Sequence, residues 1–158
     1  MSAELDIARA QAAEAAVLLA LLQRAFGEYN GKLDPPSGAH DETLDSIAHR
    51  LVDGGALICR HGGQAIGCIF FAAQPDHLYV GRLSVLPEHR KRGVGDLLLR
   101  AAEAHAITLG LPSVRLGVRL VLQALRAYYA ARGYAEIALH SHTGYTQPTF
   151  VEMEKRLR

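Results

Sequence analysis

The residues best suited to chemistry in this chain form one short segment, in which three basic residues precede two glycines. The segment reads Arg90-Lys91-Arg92-Gly93-Val94-Gly95. Glycine has no side chain, so a ligand can approach the backbone closely at such a turn. If a helix follows, its first N–H groups lack partners within the helix and lie at the positive end of its dipole. Free amides beside positive charge are typical of a site for a phosphate or pyrophosphate.

The residues on either side predict the strand and the helix that such a turn requires. Apolar residues in 77–86 fall at both odd and even positions, as in a strand that is covered on both faces. Pro87 cannot donate to a ladder and ends this strand. From Val94 onward the apolar spacing becomes helical, and the helix ends at Gly110.

Two other glycine-rich loops do not fit this segment. A P-loop requires Gly-Lys-Ser or Gly-Lys-Thr after four free positions, which the chain does not supply here. The dinucleotide-binding fingerprint requires a third glycine where Leu98 stands, and it follows the first strand of its fold rather than a strand in mid-chain. An ordinary solvated connection between a strand and a helix remains the alternative.

The composition is that of a globular domain without a strong overall charge. The chain has 158 residues, a formal net charge of +1 and a hydrophobic fraction of 49%. The length suits a single domain that spans residues 1–158. The near-neutral charge argues against nucleic acid or an anionic membrane as a partner, and no apolar run reaches the length of a membrane span.

Further residues bear on the location of the protein and on metal binding. Residues 1–6 carry no basic region, so no signal peptide is predicted. Cys59 and Cys68 lie in apolar runs typical of buried free thiols, and we expect a cytoplasmic protein. His140 and His142 offer only two ligands without a cysteine or carboxylate cluster, so no metal site is predicted.

Apolar periodicity and turn residues predict eleven elements along the chain. They are strands over 5–8, 56–60, 65–73, 77–86, 113–118, 134–139 and 149–157, and helices over 10–26, 41–52, 119–132 and from 94 to the Gly110 turn. Asp41 is expected to cap the second helix. Gly81 indicates either a bulge in its strand or a neighbour that needs room. The proline-containing loop 28–40 either lines a binding site or is a plain solvent loop.

Two segments of the chain resemble the GNAT superfamily of N-acetyltransferases. The basic glycine-containing segment 90–95 is similar to the family signature Arg/Gln-x-x-Gly-x-Gly/Ala, and Leu83–Glu88 resembles the strand ending that precedes it. Tyr129–Tyr134 resembles the family's Tyr-x-x-x-Gly-Phe, with Tyr134 in place of Phe. The order of the predicted elements also matches the family across nearly the whole chain.

This resemblance implies a fold and a cosubstrate. The fold class is α/β (α+β), the GNAT fold, with a mixed central sheet of about seven strands and four helices on its faces, in the order β-α-α-β-β-β-α-β-α-β-β. In this family the strand before the turn carries a bulge and parts from the next strand, which leaves a V-shaped cleft. The cleft admits the pantetheine arm of acetyl-coenzyme A (acetyl-CoA), and the turn binds its pyrophosphate.

The same resemblance gives roles to individual positions. Backbone groups of Leu83, Ser84 and Val85 would pair with the pantetheine arm as an added strand would, and the Leu83 N–H would face the thioester carbonyl. Arg90, Lys91, Arg92, Gly93, Val94 and Gly95 would hold the pyrophosphate. Tyr129 would donate a proton to the departing thiolate; the alternative is an aromatic side chain that fills the core.

One position departs from the family pattern. Many members carry an Asn that contacts the cofactor seven residues before the tyrosine, and Leu122 stands there in this chain. Gln123 is the candidate that would replace the contact.

The acceptor side is predicted by analogy. A general base would stand on the central strand before the bulge, which points to His77, unless the proton leaves through a chain of water. Candidate substrate contacts, from the loop after the first helix, the central strand and the last connection, are Glu28, Tyr29, Asp34, Tyr79 and His142. Glu28 or Asp34 could attract an ammonium group, although surface residues without a role are the alternative.

The sequence therefore predicts an acetyl-CoA-dependent N-acetyltransferase, which moves an acetyl group to a primary amine of a small molecule or peptide by direct attack. Pairing through sheet edges or helices, as in many relatives, would make the protein a homodimer. Two alternatives stay open. One is a non-catalytic acyl-CoA-binding sensor or interaction module, for which the missing Asn leaves room. The other is a structural domain that binds anions without preferring coenzyme A.

Overall fold

The structure, a computed structural model, describes residues 4–157, which form a seven-stranded sheet and four α-helices. The strands are β1 Leu5–Arg9, β2 Gly55–His61, β3 Gln64–Ala73, β4 Leu78–Val85, β5 Ser113–Arg119, β6 Ala135–His140 and β7 Phe150–Arg156. The helices are α1 Ala15–Phe26, α2 Leu44–Asp53, α3 Val94–Thr108 and α4 Gln123–Ala130. This order of elements confirms the predicted one. Residues 1–3, on which part of the signal-peptide prediction rests, lie outside the described residues.

The strand order places one parallel pair near the middle of the sheet. The order is β1-β2-β3-β4-β5-β7-β6, and every neighbouring pair is antiparallel except β4 with β5. Parallel neighbours need a crossover connection, and α3 supplies it between β4 and β5. The mixed sheet with four helices confirms the predicted α/β (α+β) class.

The core lies on both faces of the middle strands. Every residue from Ile66 to Phe71 of β3 is buried, whichever face it points to, as in a strand with helices on both sides. On α3 the fully buried positions Leu98, Ala102 and Ala106 recur every four residues, which is the stripe that a helix presents to a sheet. Among residues 4–157, none of the helices is both long enough and apolar enough to cross a membrane.

The end of β5 differs from the prediction. The helix predicted over 119–132 spans only Gln123–Ala130, and Arg119 is the last residue of β5. The reason is tertiary, because β5 pairs with β7 along its whole length and Arg119 lies opposite Phe150. Strand pairing here overrides local helix propensity, and it places the Arg119 side chain at a strand end rather than on a helix.

The start of α2 also differs from the prediction. Thr43, not Asp41, caps this helix: its hydroxyl oxygen accepts a hydrogen bond of 3.1 Å from the Ser46 N–H, and the Ser46 hydroxyl oxygen accepts one of 2.7 Å from the Thr43 N–H. This reciprocal pair satisfies two backbone donors at the helix start. Asp41 instead ends a short 3-10 helix, Gly38–Asp41, in the loop before α2.

Candidate active site

A cleft lies where β4 and β5 separate. The two strands pair only at Leu78 with Val114 and Tyr79 with Arg115, and beyond these pairs they diverge. A cavity of about 1090 Å³ opens there, and residues of both strands line it. The backbone of β4 beyond Tyr79 is therefore open on the side facing β5, which is the V-shaped cleft that the resemblance implied.

A bulge lies at the point where the cleft opens. Gly81 pairs with Phe70 of β3, but between this pair and the next, Ser84 with Cys68, two residues of β4 face a single residue of β3. These two residues are Arg82, at a left-handed φ of 54°, and Leu83. Gly81 thus marks the bulge by preceding it. A Cβ on Gly81 would meet no atom closer than 3.8 Å, so the alternative of a neighbour that needs room is wrong.

The N terminus of α3 forms one part of the cavity wall, which we call the helix end of the cavity (residues 90–96). Gly93 caps α3 at a left-handed φ of 81°, and the first helical hydrogen bond runs from the Leu97 N–H to the Gly93 carbonyl at 3.0 Å. The N–H groups of Val94, Gly95 and Asp96 therefore have no acceptor within the helix. At Gly95 a Cβ would lie 3.2 Å from the Tyr128 hydroxyl, so a larger residue would crowd that side chain.

The basic residues of the helix end have different surroundings. All three nitrogens of the Arg90 guanidinium donate to the protein: Nε to the Val85 carbonyl at 3.2 Å, Nη1 to Glu28 at 2.6 Å and Nη2 to the Ala25 carbonyl at 2.9 Å. Lys91 lines the cavity, whereas Arg92 is exposed and does not. Arg90 therefore holds the turn against the end of α1. Lys91 is the basic residue of the turn that can offer its charge to a ligand in the cavity.

A polar cluster joins α3 to α4 beside the cavity. The Asp96 carboxylate accepts hydrogen bonds from the Tyr128 hydroxyl at 2.5 Å and from Arg132 Nε at 2.7 Å, and the Arg132 guanidinium lies 3.6 Å from the centre of the Tyr128 ring. The bonds from Arg132 and Tyr128 lower the pKa of Asp96. Burial, followed by the bond to Asp96, raises the pKa of Tyr128 to about 12. At neutral pH the cluster therefore holds a carboxylate, a neutral phenol and a guanidinium.

Tyr129, on α4, brings a buried phenol to the cavity. Its side chain lines the cavity and is only 7% exposed. The neighbouring Tyr128 and Tyr134 donate to Asp96 and Glu103, whereas the Tyr129 hydroxyl has no hydrogen-bond partner among residues 4–157. Burial is the main cause that raises the pKa of Tyr129, so this hydroxyl carries its proton at neutral pH.

The remaining predicted cosubstrate contacts lie in different places. Leu83 and Val85 line the cavity, while Ser84 is buried and its hydroxyl donates to the Arg82 carbonyl at 2.9 Å. Leu122, where many family members have Asn, lines the cavity just before α4. Gln123 is exposed and does not line it, so the geometry does not bring Gln123 to the place that the missing Asn would occupy.

The other part of the cavity wall is built from loops and strand ends, and we call it the loop end (residues 35–38, Tyr79, Arg82, Arg119 and His142). The structure brings the predicted contacts Tyr29, Tyr79 and His142 to the cavity wall. Glu28 also lines the cavity, but it is held by Arg90. Asp34 does not line it, and its carboxylate accepts a hydrogen bond from Tyr145.

His77 lies apart from these residues. It precedes β4, outside the cavity wall, and its Nδ1 is 2.7 Å from an Asp76 carboxylate oxygen. The geometry therefore does not place the His77 imidazole where it could take a proton directly from a group in the cavity.

Within residues 4–157, no group of three or more His, Cys, Asp or Glu side chains could hold a metal ion.

Sequence reasoning missed two arginines that line the loop end. Arg119 donates from Nη1 to the Pro35 carbonyl at 2.6 Å and from Nη2 to the Pro36 carbonyl at 3.0 Å. Arg82 stands at the bulge and donates from Nε to Glu42 at 3.1 Å. A charged residue directly after Gly81 in an otherwise apolar strand was the available signal for Arg82. No local signal pointed to Arg119, because its segment was predicted as helix.

Comparison with known families identifies the class of protein that this site belongs to. The model of the acetyltransferase (GNAT) family matches residues 17–134. The chain therefore belongs to the GNAT family of acetyltransferases, whose cosubstrate is acetyl-CoA. This match confirms the family and the GNAT fold that the two motifs indicated. A search of curated proteins gave no significant match.

Solved structures share the fold at low sequence identity. The ribosomal-protein-S18-alanine N-acetyltransferase of Escherichia coli has a TM-score of 0.79 and 16% identity over 98% of this chain and 94% of that one. The PaiA N-acetyltransferase of Thermoplasma acidophilum, in complex with coenzyme A, has a TM-score of 0.79 and 17% identity over 97% and 99%. A GNAT family acetyltransferase of Elizabethkingia anophelis with acetyl-CoA bound has a TM-score of 0.74 and 14% identity over 97% and 98%. At sequence identities this low, the similarity shows a shared fold and nothing more.

Proposed function

We propose that residues 1–158 form a single domain that transfers an acetyl group from acetyl-CoA to a primary amine of a small molecule or peptide. The observation that carries this proposal is the meeting, in one cavity, of the free amides of α3, the open edge of β4 and the unbonded Tyr129 hydroxyl. Direct transfer needs a held thioester, stabilisation of the oxyanion and a proton for the thiolate. These three features match those needs.

The helix end and β4 would hold acetyl-CoA. The N–H groups of Val94, Gly95 and Asp96, with Lys91 beside them, suit the pyrophosphate. The pantetheine arm carries amides, and the edge of β4 opened by the departure of β5 would pair with them as with another strand. PaiA of Thermoplasma acidophilum, which shares this fold, is known in complex with coenzyme A.

The chemical step then follows from the residues at the bulge and on α4. The neutral amine attacks the thioester carbon, and the Leu83 N–H would stabilise the developing oxyanion. As the new carbon–nitrogen bond forms, the carbon–sulfur bond breaks and the thiolate takes the Tyr129 proton. The proton lost by the amine nitrogen leaves through water and restores Tyr129. The products are an amide and coenzyme A with a free thiol.

The test is a thiol-release assay over a broad panel of amines, with the product identified by mass. We expect saturable binding of acetyl-CoA, a rise in melting temperature on binding and release of one thiol for each N-acetyl product. Acetyl-CoA binding without thiol release for any amine would instead support the non-catalytic acyl-CoA-binding module. Equal affinity for coenzyme A and free pyrophosphate would support the anion-binding alternative.

The homodimer stays a prediction to be tested in solution. β1 and β6 are the edge strands of the sheet, and edge pairing is one way in which two copies could associate. Light scattering with and without acetyl-CoA would give the mass of the species in solution.

A further inference from the structure

The carboxylates that line the cavity are already held by arginines. Among the described residues only Glu28 and Asp96 bring a carboxylate to the cavity wall. Glu28 is 2.6 Å from Arg90, and Asp96 is 2.7 Å from Arg132. Each carboxylate is already balanced by the positive charge of an arginine, which weakens the attraction for an ammonium group that the sequence suggested for Glu28.

Arg119 brings a positive charge to the loop end, and among the described residues no carboxylate lies within 4.0 Å of its guanidinium. Two of its five N–H groups donate to the carbonyl oxygens of Pro35 and Pro36. These oxygens fix the direction of the guanidinium, but they carry no net charge to cancel it. His142, on the same wall, adds no negative charge, and burial together with the nearby Arg119 lowers its pKa, so it is neutral at pH 7.

Arg82 brings a second positive charge to the same wall. Its Nε donates to Glu42, a carboxylate that is only 4% exposed and that also accepts from Arg50 at 2.7 Å. One carboxylate therefore serves two guanidinium groups. Nε carries a single N–H, so the two terminal nitrogens of Arg82 retain donors for another partner. Glu42 thus positions Arg82, but its single negative charge does not neutralise both Arg82 and Arg50.

The other carboxylates near the loop end are engaged or lie off the wall. Asp34 accepts from Tyr145 and does not line the cavity. Glu152 lies in a small side cavity next to Tyr79, where it is 3.0 Å from His140. The groups that face an acceptor at the loop end are therefore two guanidiniums, a neutral imidazole and a phenol.

We propose that the acceptor is a small amine that also carries an oxyanion, a carboxylate or a phosphate, which Arg82 and Arg119 bind. This inference rests on the proposed function and names the substrate class of that same site. Guanidinium forks match the paired oxygens of both groups, and such charge-assisted bonds are stronger than neutral ones. An acceptor without an anion would cover two partly buried guanidiniums and leave their remaining N–H donors without an acceptor.

The test on the unmodified protein uses amines in matched pairs that differ in the anion. Suitable pairs are β-alanine with β-alaninamide, phenylalanine with phenylalaninamide, and O-phosphoethanolamine with ethanolamine. We expect kcat/KM for thiol release to be at least about tenfold higher for the anionic member, mainly through a lower KM. The first two pairs test the carboxylate and the third tests the phosphate. Equal or faster reaction of all the neutral members would overturn the inference.

Two variants test whether the preference comes from these arginines. Arg82→Gln and Arg119→Gln should each raise KM for the anionic member about tenfold and so reduce or abolish the preference for the anionic over the neutral member. Arg119→Lys, which keeps the charge but loses the fork, should lie between. The matched control is Arg156→Gln, which removes a positive charge that is 72% exposed on β7 outside the cavity and should not alter the preference.

The outcomes distinguish failure of the proposed function from failure of this inference alone. The affinity for acetyl-CoA, measured for every variant, reports whether the fold and the helix end are intact. If no amine supports thiol release although acetyl-CoA binds, the proposed function fails, and this inference fails with it. If neutral amines are acetylated as well as anionic ones, or if both arginine variants affect both members equally, only this inference fails.

Discussion

The two ends of the cavity are built in different ways. The helix end uses backbone: its donors are the first amides of α3, and one contiguous segment, 90–96, contains them. The loop end uses side chains from elements far apart in the chain, namely Arg82 from β4 and Arg119 from β5. The backbone carbonyls of Pro35 and Pro36 hold Arg119 in place. A backbone site needs only a turn and a glycine, so it keeps its ligand while side chains vary. A side-chain site changes its ligand when one residue changes.

Tyr129 lines the same cavity as the two ends, and its removal should have the largest effect. Tyr129→Phe should lower kcat about 10²–10³-fold, because the thiolate would leave without its proton donor. Acetyl-CoA affinity should be nearly unchanged. Single-turnover and steady-state thiol release measure the effect. Tyr134→Phe is the matched control, since that hydroxyl donates to Glu103 and does not line the cavity. Equal turnover of the two variants would assign Tyr129 to core packing.

The backbone character of the helix end can be tested at Gly93. Gly93→Ala strains the left-handed turn that aims the α3 amides, so Kd for acetyl-CoA should rise about tenfold, as measured by calorimetry. Gly110→Ala is the control at the other end of α3, where φ is also left-handed at 76° and a Cβ would meet nothing within 4 Å. A similar loss of affinity in both variants would mean that the strain, and not the position of the amides, is responsible.

The cluster that ties α4 to the helix end should contribute to stability in a pH-dependent way. Asp96→Asn should lower the free energy of unfolding by about 1 kcal/mol at pH 7, because the Asp96 and Arg132 side chains are each about one third exposed. The folded-state pKa of Asp96 is lowered. Its contribution is therefore complete above the ordinary pKa of about 4 and is lost as the pH falls through the lowered value.

Urea unfolding at pH 7 and at pH 3 measures this contribution, and the difference between the parent and Asp96→Asn should shrink at the lower pH. Glu88→Gln serves as a control, since its partner Arg24 is 53% exposed and the pair should contribute little. A difference for Asp96→Asn that does not depend on pH would mean that the carboxylate charge is not the source of its effect.

The smallest effect is expected for Gly38→Ala, which tests whether the loop end binds the acceptor through side chains. A Cβ at Gly38 would lie 2.9 Å from Arg82 Nη2, the mobile end of a long side chain. Gly38→Ala should therefore shift that guanidinium, raising the acceptor KM about threefold without loss of acetyl-CoA affinity. Gly27→Ala, where a Cβ meets nothing within 4 Å, is the control. If both variants behave like the parent, Arg82 does not contact the acceptor.

The same contrast explains what the sequence could predict. The helix end was predicted because its parts are neighbours in the chain, and a strand, a turn and a helix in series leave a periodic signal. At the loop end Tyr79 and His142 were predicted by analogy, but Arg119 was not, because it reaches the cavity only through pairing of β5 with β7, which no local pattern contains. The role of Glu28 was predicted incompletely for the same reason, since Arg90 lies 62 positions away in the sequence.

One wall of the cavity can be altered without disturbing the sheet. β5 is held from its far side, where each of its seven residues has a partner in β7. Its near side beyond Arg115 is free of ladder bonds to β4. Substitutions at Gly117 or Arg119, which line the cavity, should therefore alter its shape and charge while the register of the strand stays fixed. Evolution or a protein engineer could in this way adapt one scaffold to new acceptors without changing the residues of β4 and α3 proposed to bind the thioester.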